Sequence, residues 1–258
     1  MRLFDTHAHV TDEALDSARK DILLSLNKDL AGFMECATCL NDMDKVVSIS
    51  KENERVFCAV GVHPHEAKDF GDLTVDKIKK LLDFKRTVAI GEIGLDYHYE
   101  FSPKDVQKDV FEKQLSLAKS LKVPVVIHMR EATKDTIDIL KAHSGVNGVF
   151  HCFSGSKETA KIALDMGFYI SFSGTVTFSN AVSVVEAADY VPIDRLMAET
   201  DSPYLSPQPF RGKTNRPENV RYTIEKLSQI KGISFEEMRE INIVNFKRLF
   251  NVLEKYEG

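Results

Sequence analysis

A (β/α)8 barrel, the TIM-barrel class, is the fold this sequence predicts, and three observations predict it. Short runs rich in β-branched and aromatic residues alternate with helix-like stretches along most of the chain, which is the mark of βα units around a parallel sheet. Eight such runs are present in a chain of 258 residues, and eight strands with eight helices occupy about 250 residues in barrels of this class. Most of the histidines, with two carboxylates, fall at the carboxyl ends of those runs, where barrels carry their chemistry. An open doubly wound sheet is the alternative, because periodicity does not report closure.

The first run, residues 3–5, leads into Thr6-His7-Ala8-His9. Strand alternation turns Asp5, His7 and His9 to one face, and imidazoles at i and i+2 lie about 7 Å apart, close enough to share a cation. The second and third runs are 32–36 and 56–60, the third followed by Gly61-Val62-His63-Pro64-His65. The fourth, 87–91, is followed by Glu92-Ile93-Gly94-Leu95-Asp96. A helix then starts with Pro103 at its first position, with Val106, Val110, Leu117 and Leu121 as its apolar stripe. The fifth and sixth runs, 123–127 and 146–150, end at His128 and His151. The seventh is 169–172, and the eighth, 195–198, leads into Glu199-Thr200-Asp201. Four prolines mark residues 202–217 as a long irregular loop, which after a last barrel strand is more often functional than filler. Ser234 and Glu237 form a capping box ahead of Met238, Ile241 and Val244.

No Gly/Ser-rich or Pro-rich linker divides the middle of the chain, so residues 1–258 read as one domain. No apolar run reaches the roughly 20 residues that span a bilayer, and no basic and apolar leader opens the chain, so neither a membrane nor secretion is expected. Four cysteines in apolar surroundings suit buried thiols in a reducing cytoplasm better than a disulfide framework. Cys36 and Cys39 have the spacing of a redox or half-zinc pair but no second pair. The net charge of −5 excludes broad adhesion to nucleic acid, though not binding of one strand end. No obligate protein partner is evident.

His7, His9, Glu92, His128, His151 and Asp201 are the candidate metal ligands. Convergent imidazoles and carboxylates are costly to bury, and a divalent cation compensates both their charge and their lone pairs. Six ligands exceed one tetrahedral shell, so two ions are expected, with Glu92 able to bridge. On that partition His7, His9, Glu92 and Asp201 hold one ion, and Glu92, His128 and His151 the other. Nitrogen mixed with oxygen suits zinc, manganese or iron(II) more than magnesium, without fixing the metal.

The motifs Phe4-Asp5-Thr6-His7-Ala8-His9, Gly61-Val62-His63-Pro64-His65, Gly91-Glu92-Ile93-Gly94-Leu95-Asp96-Tyr97, His151-Cys152-Phe153-Ser154-Gly155, Glu199-Thr200-Asp201-Ser202-Pro203 and Arg211-Gly212-Lys213-Thr214-Asn215 together resemble the TatD family of metal-dependent deoxyribonucleases. The resemblance runs over nearly the whole chain. It implies a TIM-type barrel, a divalent-metal site on the six ligands, hydrolysis of DNA phosphodiesters and a cytoplasmic location. Thr214 stands where the family often has a basic residue.

For phosphodiester hydrolysis by a metal-activated water, Asp201 is the candidate general base. His63 and Arg130 are placed to hold phosphate oxygens, with Arg211 and Lys213 from the long loop and Tyr97 or Tyr204 stacking on a base. A single DNA strand end is the expected substrate, because a mouth narrowed by residues 202–217 suits a flexible strand better than a duplex. Hydrolysis of an amide or an aminoacyl ester is the rival chemistry, and metal-dependent binding without turnover is the rival outside enzymes.

Overall fold

The computed structural model describes residues 2–252. Eight parallel strands pair in sequential order: β1 (Leu3–Ala8), β2 (Leu30–Cys36), β3 (Val56–Val60), β4 (Thr87–Asp96), β5 (Val125–Arg130), β6 (Gly148–Phe150), β7 (Tyr169–Phe172) and β8 (Leu196–Ala198). The helices are α1 (Arg19–Ser25), α2 (Met43–Glu52), α3 (Asp72–Leu82), α4 (Lys104–Leu121), α5 (Thr133–Ala142), α6 (Lys157–Asp165), α7 (Val182–Tyr190), α8 (Val220–Lys231) and α9 (Phe235–Leu249). This is a nearly closed TIM barrel, with nine α-helices among the described residues where eight were expected. The ninth, α9, supplies Phe246 and Phe250 to an apolar cluster that takes Phe4, Phe57, Val126, Val149, Tyr169 and Met197 from six of the strands. The Phe4 and Phe246 rings lie 4.4 Å apart. That cluster fills the barrel below the polar end, so chemistry is confined to the other mouth.

The seam between β1 and β8 is joined by a few bonds in place of a long ladder. Asn242 accepts from the Ala198 N–H at 2.8 Å and donates to the Phe4 carbonyl at 2.8 Å. Beyond β8, the Asp201 N–H donates to the His7 carbonyl at 3.0 Å and the His9 N–H to the Ser202 carbonyl at 2.8 Å. The seam therefore places Asp201 beside both histidines of β1.

Three strands, β1, β4 and β5, run past their expected ends, and the extra residues matter to the site. β4 runs on to Asp96 and β5 to Arg130, pairing Gly94 with His128 and Asp96 with Arg130. His128 thus stands on a ladder residue and Glu92 at the register irregularity between Ile90 and Ile93, both inside strands instead of in loops. Gly94 has φ +147, and a Cβ there would lie 1.9 Å from the His128 carbonyl oxygen. Only glycine allows this close approach.

The expected helix stripes are partly wrong. Leu121 and Val244 are exposed, Val106 is half-buried, and Pro103 caps α4 from outside it. The buried face of α4 includes Gln107 and Gln114, and that of α9 includes Asn242 and Asn245. Gln114 bonds both backbone groups of Val62, and Gln107 both of Asp96. These amides satisfy strand and loop backbone that would otherwise be buried unpaired, so position rather than hydrophobicity buries them. The capping box of Ser234 and Glu237 forms as expected. No helix among the described residues is long and apolar enough to cross a membrane.

Candidate metal centre

His7 and His9 leave β1 with their Nε2 atoms 3.1 Å apart. Asp5 does not join them. The β1–β2 register is irregular between Asp5 and Ala8, and the Asp5 carboxylate turns to β8, where it accepts from the Thr200 N–H at 2.8 Å and from the Thr200 hydroxyl. Glu35, buried in β2, braces the chain after β1 by accepting from the Val10 and Thr11 N–H groups at 2.8 and 2.7 Å.

Glu92 sits between two sets of imidazoles, one for each carboxylate oxygen. Oε2 lies 3.3 Å from Nε2 of His7 and 3.3 Å from Nε2 of His9. Oε1 lies 2.7 Å from Nδ1 of His128, 2.8 Å from Nε2 of His151 and 3.3 Å from Nε2 of His63. Asp201 joins the first set, with Oδ1 3.5 Å from Nε2 of His9 and 3.8 Å from Nε2 of His7. Three groups of donor atoms lie mutually within 4.8 Å: His7 with His9 and Asp201, His7 with Glu92 and His151, and His63 with Glu92 and His128. His7 thus shares a group with His151, their rings stacked at 4.0 Å. The expected partition had kept these two apart and left His63 out.

Asp201 has φ +58, a left-handed backbone that Asp tolerates better than most residues. Cys152, next to His151, has φ +43 and is held by its N–H donating to Glu199 Oε1 at 2.8 Å. Backbone of this kind persists only where surrounding bonds over-determine it.

The second nitrogen of each histidine decides what the first can do. His9 Nδ1 lies 2.9 Å from the Cys36 carbonyl, His128 Nε2 lies 3.0 Å from Asp96 Oδ2, and His151 Nδ1 lies 3.3 Å from Glu199 Oε1. All three partners are acceptors, so these nitrogens carry the hydrogen, and the nitrogen facing Glu92 keeps its lone pair in the neutral ring. His63 is wired the opposite way. Its Nδ1 accepts from the His65 N–H at 3.2 Å, so Nε2 carries the hydrogen and donates towards Glu92. Burial, with His128 nearby, pushes the His63 pKa down to about 4, which keeps the ring neutral.

Burial also disfavours charge on His9, His128 and His151, but Glu92 together with Asp201, Asp96 and Glu199 outweighs it and holds all three above the ordinary value. Burial lowers His7, with His151 beside it acting the same way. Burial opposes the Glu92 charge, yet His151, His63 and His128 hold its carboxyl well below the usual range; burial opposes the Asp201 charge too, and His9 and His151 lower its carboxyl. These donors fit divalent cations: the lone pairs converge on shared carboxylates, their outer nitrogens are already oriented, and nitrogen mixed with oxygen suits a transition metal.

Asp96 and Glu199, which orient His128 and His151, are fully buried and were not singled out from the sequence. Arg130 ends β5 half-buried, its guanidinium 4.8 Å over the Tyr99 ring and without an ion pair among the described residues. Arg211 and Lys213 are exposed in the long loop, over Phe178 at 4.0 Å and near Phe210 at 5.9 Å, and neither bonds a donor residue. Tyr97 packs against the apolar core, its hydroxyl donating to Asp135 at 2.7 Å and Lys104 lying 4.7 Å over its ring. Tyr204 is exposed, its ring 6.2 Å from that of His9. All four cysteines are unpaired. Cys36 has no bond to Cys39; its Sγ lies 3.4 Å from His7 Nδ1.

A barrel whose strand ends converge such a donor set defines the class of metal-dependent hydrolases. Within that class, the family described as TatD related DNase matches residues 4–251, and this chain belongs to it. YabD of Bacillus subtilis (strain 168), named an uncharacterized metal-dependent hydrolase, is 41% identical, covering 97% of this chain and 99% of its own length. YcfH of Escherichia coli (strain K12), named likewise, is 40% identical, covering 98% of this chain and 97% of its own. The crystal structure of YJJV, a TatD homolog from Escherichia coli K12, matches with a TM-score of 0.90 at 26% identity, covering 97% of this chain and 98% of that one.

Proposed function

We propose that this metal-dependent hydrolase is a deoxyribonuclease that hydrolyses phosphodiesters at the end of single-stranded DNA. One observation carries the reading: Glu92 divides the donors between its two oxygens, and His63, a neutral N–H donor, faces the same space. Divalent cations held by His7, His9, Glu92, His128, His151 and Asp201 supply Lewis-acid charge and lower the pKa of water. Two such ions, of manganese, zinc or magnesium, belong to the same proposal.

The remaining work falls to side chains. Asp201, held ionised beside His9, accepts the proton of the attacking water through Oδ1 or Oδ2. His63 Nε2 donates to a phosphate oxygen in place of Glu92, which neutral wiring allows without loss of a proton. Arg130, free of an ion pair, has donors to spare for a second oxygen. Arg211 and Lys213 meet the strand further out. The description of the family supports DNA as substrate. One chain, residues 1–258, acting as one domain without a partner in the cytoplasm completes the proposal, the location resting on four unpaired cysteines.

The test is a substrate panel with added manganese: a labelled single strand, the duplex, a closed single-stranded circle, a phosphomonoester, an amide and an aminoacyl ester. Stepwise shortening of the linear strand alone is expected. Rapid cutting of the circle would overturn the exonuclease reading, and turnover only of the amide or the aminoacyl ester would overturn the nuclease.

A further inference from the structure

The connection between β4 and α4 carries two exposed aromatic side chains, Tyr99 (50% exposed) and Phe101 (59%). Neither packs against the apolar clusters of the fold, unlike Tyr97 two residues before Tyr99. Their rings are nearly parallel, 11° apart in plane and 5.4 Å between centroids. Exposed rings on a surface loop usually cost solvation without return, and two held in register ask for an occupant.

The segment that bears them is fixed at both ends. Asp96 Oδ1 accepts from the His98 and Tyr99 N–H groups at 3.0 and 3.1 Å. At the far side, Ser102 donates from its hydroxyl to the His65 carbonyl at 2.7 Å, and its own carbonyl accepts from Gln107 at 2.8 Å. Binding on a fixed platform spends little ordering entropy.

A continuous run of rings joins the platform to the metal centre. Phe101 meets His65 at 4.8 Å, His65 meets His63 at 4.3 Å, and His63 meets His128 at 4.4 Å. Arg130 lies over Tyr99 at 4.8 Å and has no carboxylate partner among the described residues, so the cation already covers a face of that ring and the more exposed Phe101 beside it offers the open one. Paired aromatic faces with an adjacent unpaired guanidinium match one chemistry, a planar base linked to a phosphate.

We infer that Tyr99 and Phe101 form a base-stacking subsite that receives the nucleobase next to the scissile phosphate, while Arg130 reaches the phosphate. The inference rests on the nuclease reading of the centre, and it assigns stacking to a pair that the sequence did not single out. Because every base has a π-face, the subsite favours strand ends without favouring one base.

The experiment uses short single strands carrying 2-aminopurine at the 3′ or the 5′ end, titrated with the full chain and manganese while cleavage is followed in the same samples. Stacking quenches 2-aminopurine, so the wild-type protein is expected to quench one of the two strands. Phe101→Leu and Tyr99→Leu are expected to abolish the quench and to raise KM by about 5- to 150-fold, the span of roughly 1–3 kcal/mol per stacked base, with a much smaller change in kcat. Phe101→Trp is expected to restore both. A strand whose end residue lacks a base should show the raised KM with wild-type protein and no further rise with Phe101→Leu. Thermal melts of each variant separate a lost subsite from a damaged fold.

Quenching and KM equal to wild type in Phe101→Leu would overturn the subsite. Cleavage without quenching removes the subsite and leaves the nuclease, whereas quenching without cleavage removes the nuclease and leaves the subsite. Neither quenching nor cleavage removes both.

Discussion

Five histidines surround Glu92, yet His63 differs from His9, His128 and His151 in one bond. The three present their second nitrogen to an acceptor, the Cys36 carbonyl, Asp96 and Glu199, so that in the neutral ring the nitrogen with the lone pair is the one facing the carboxylate. His63 presents its second nitrogen to the His65 N–H and so turns a hydrogen inwards. The same residue type at the same mouth is therefore wired to offer a lone pair in one place and a hydrogen in the other, and the bond behind the ring makes the choice.

The comparison can be broken most severely at the group both regions share. Glu92→Gln keeps the shape but removes the charge facing all five rings. It is expected to lose most bound metal by elemental analysis, to lose the thermal stabilisation that manganese gives to the folded state, and to abolish turnover. Retained metal with retained activity would show that Glu92 does not organise the centre.

Asp201→Asn comes next. An amide oxygen can still ligate but cannot take a proton, so kcat is expected to fall by about 10²- to 10⁴-fold while KM changes little. Parallel loss of metal and of rate would make Asp201 a ligand without a role as base. The orienting acids follow: Asp96→Asn and Glu199→Gln are each expected to weaken manganese binding by about 10- to 100-fold, as removal of an outer partner commonly does. Isothermal titration of both variants checks this, and unchanged affinity would mean that the outer nitrogens do not matter.

His63→Gln sharpens the contrast directly. It keeps an N–H donor near Glu92, so metal content should stay at the wild-type level and KM should rise by about 10-fold or less, the scale of one hydrogen bond. The smallest effect is that of salt. Two or three phosphate contacts from Arg130, Arg211 and Lys213 give log affinity against log salt a slope of about −1 to −2, measured by fluorescence anisotropy of a single strand. A slope near −6 would require a basic track that the acidic chain lacks.

What was legible in the sequence follows the same division. Strand placement was legible because each run is short, apolar and followed by punctuation, and His7, His9, Glu92, His128, His151 and Asp201 were visible as residues that such runs have no packing reason to carry. Their partners were not. Asp96 and Glu199 look like ordinary loop acids until the barrel closes and buries them against His128 and His151. Helix faces failed for a related reason. Hydrophobic periodicity assigned Leu121 and Val244 inwards, whereas burial falls on Gln107, Gln114, Asn242 and Asn245, whose amides bond strand and loop backbone. The tautomer of His63 depends on a turn N–H two residues on, which spacing does not reveal.

Crystals grown with manganese and measured at its absorption edge test the central claim most directly. Anomalous density is expected on both sides of Glu92, one peak ligated by His7, His9 and Asp201 and the other by His128 and His151, with His63 Nε2 outside every coordination shell. A peak ligated by His63, or a single ion that leaves one Glu92 oxygen bare, would contradict it.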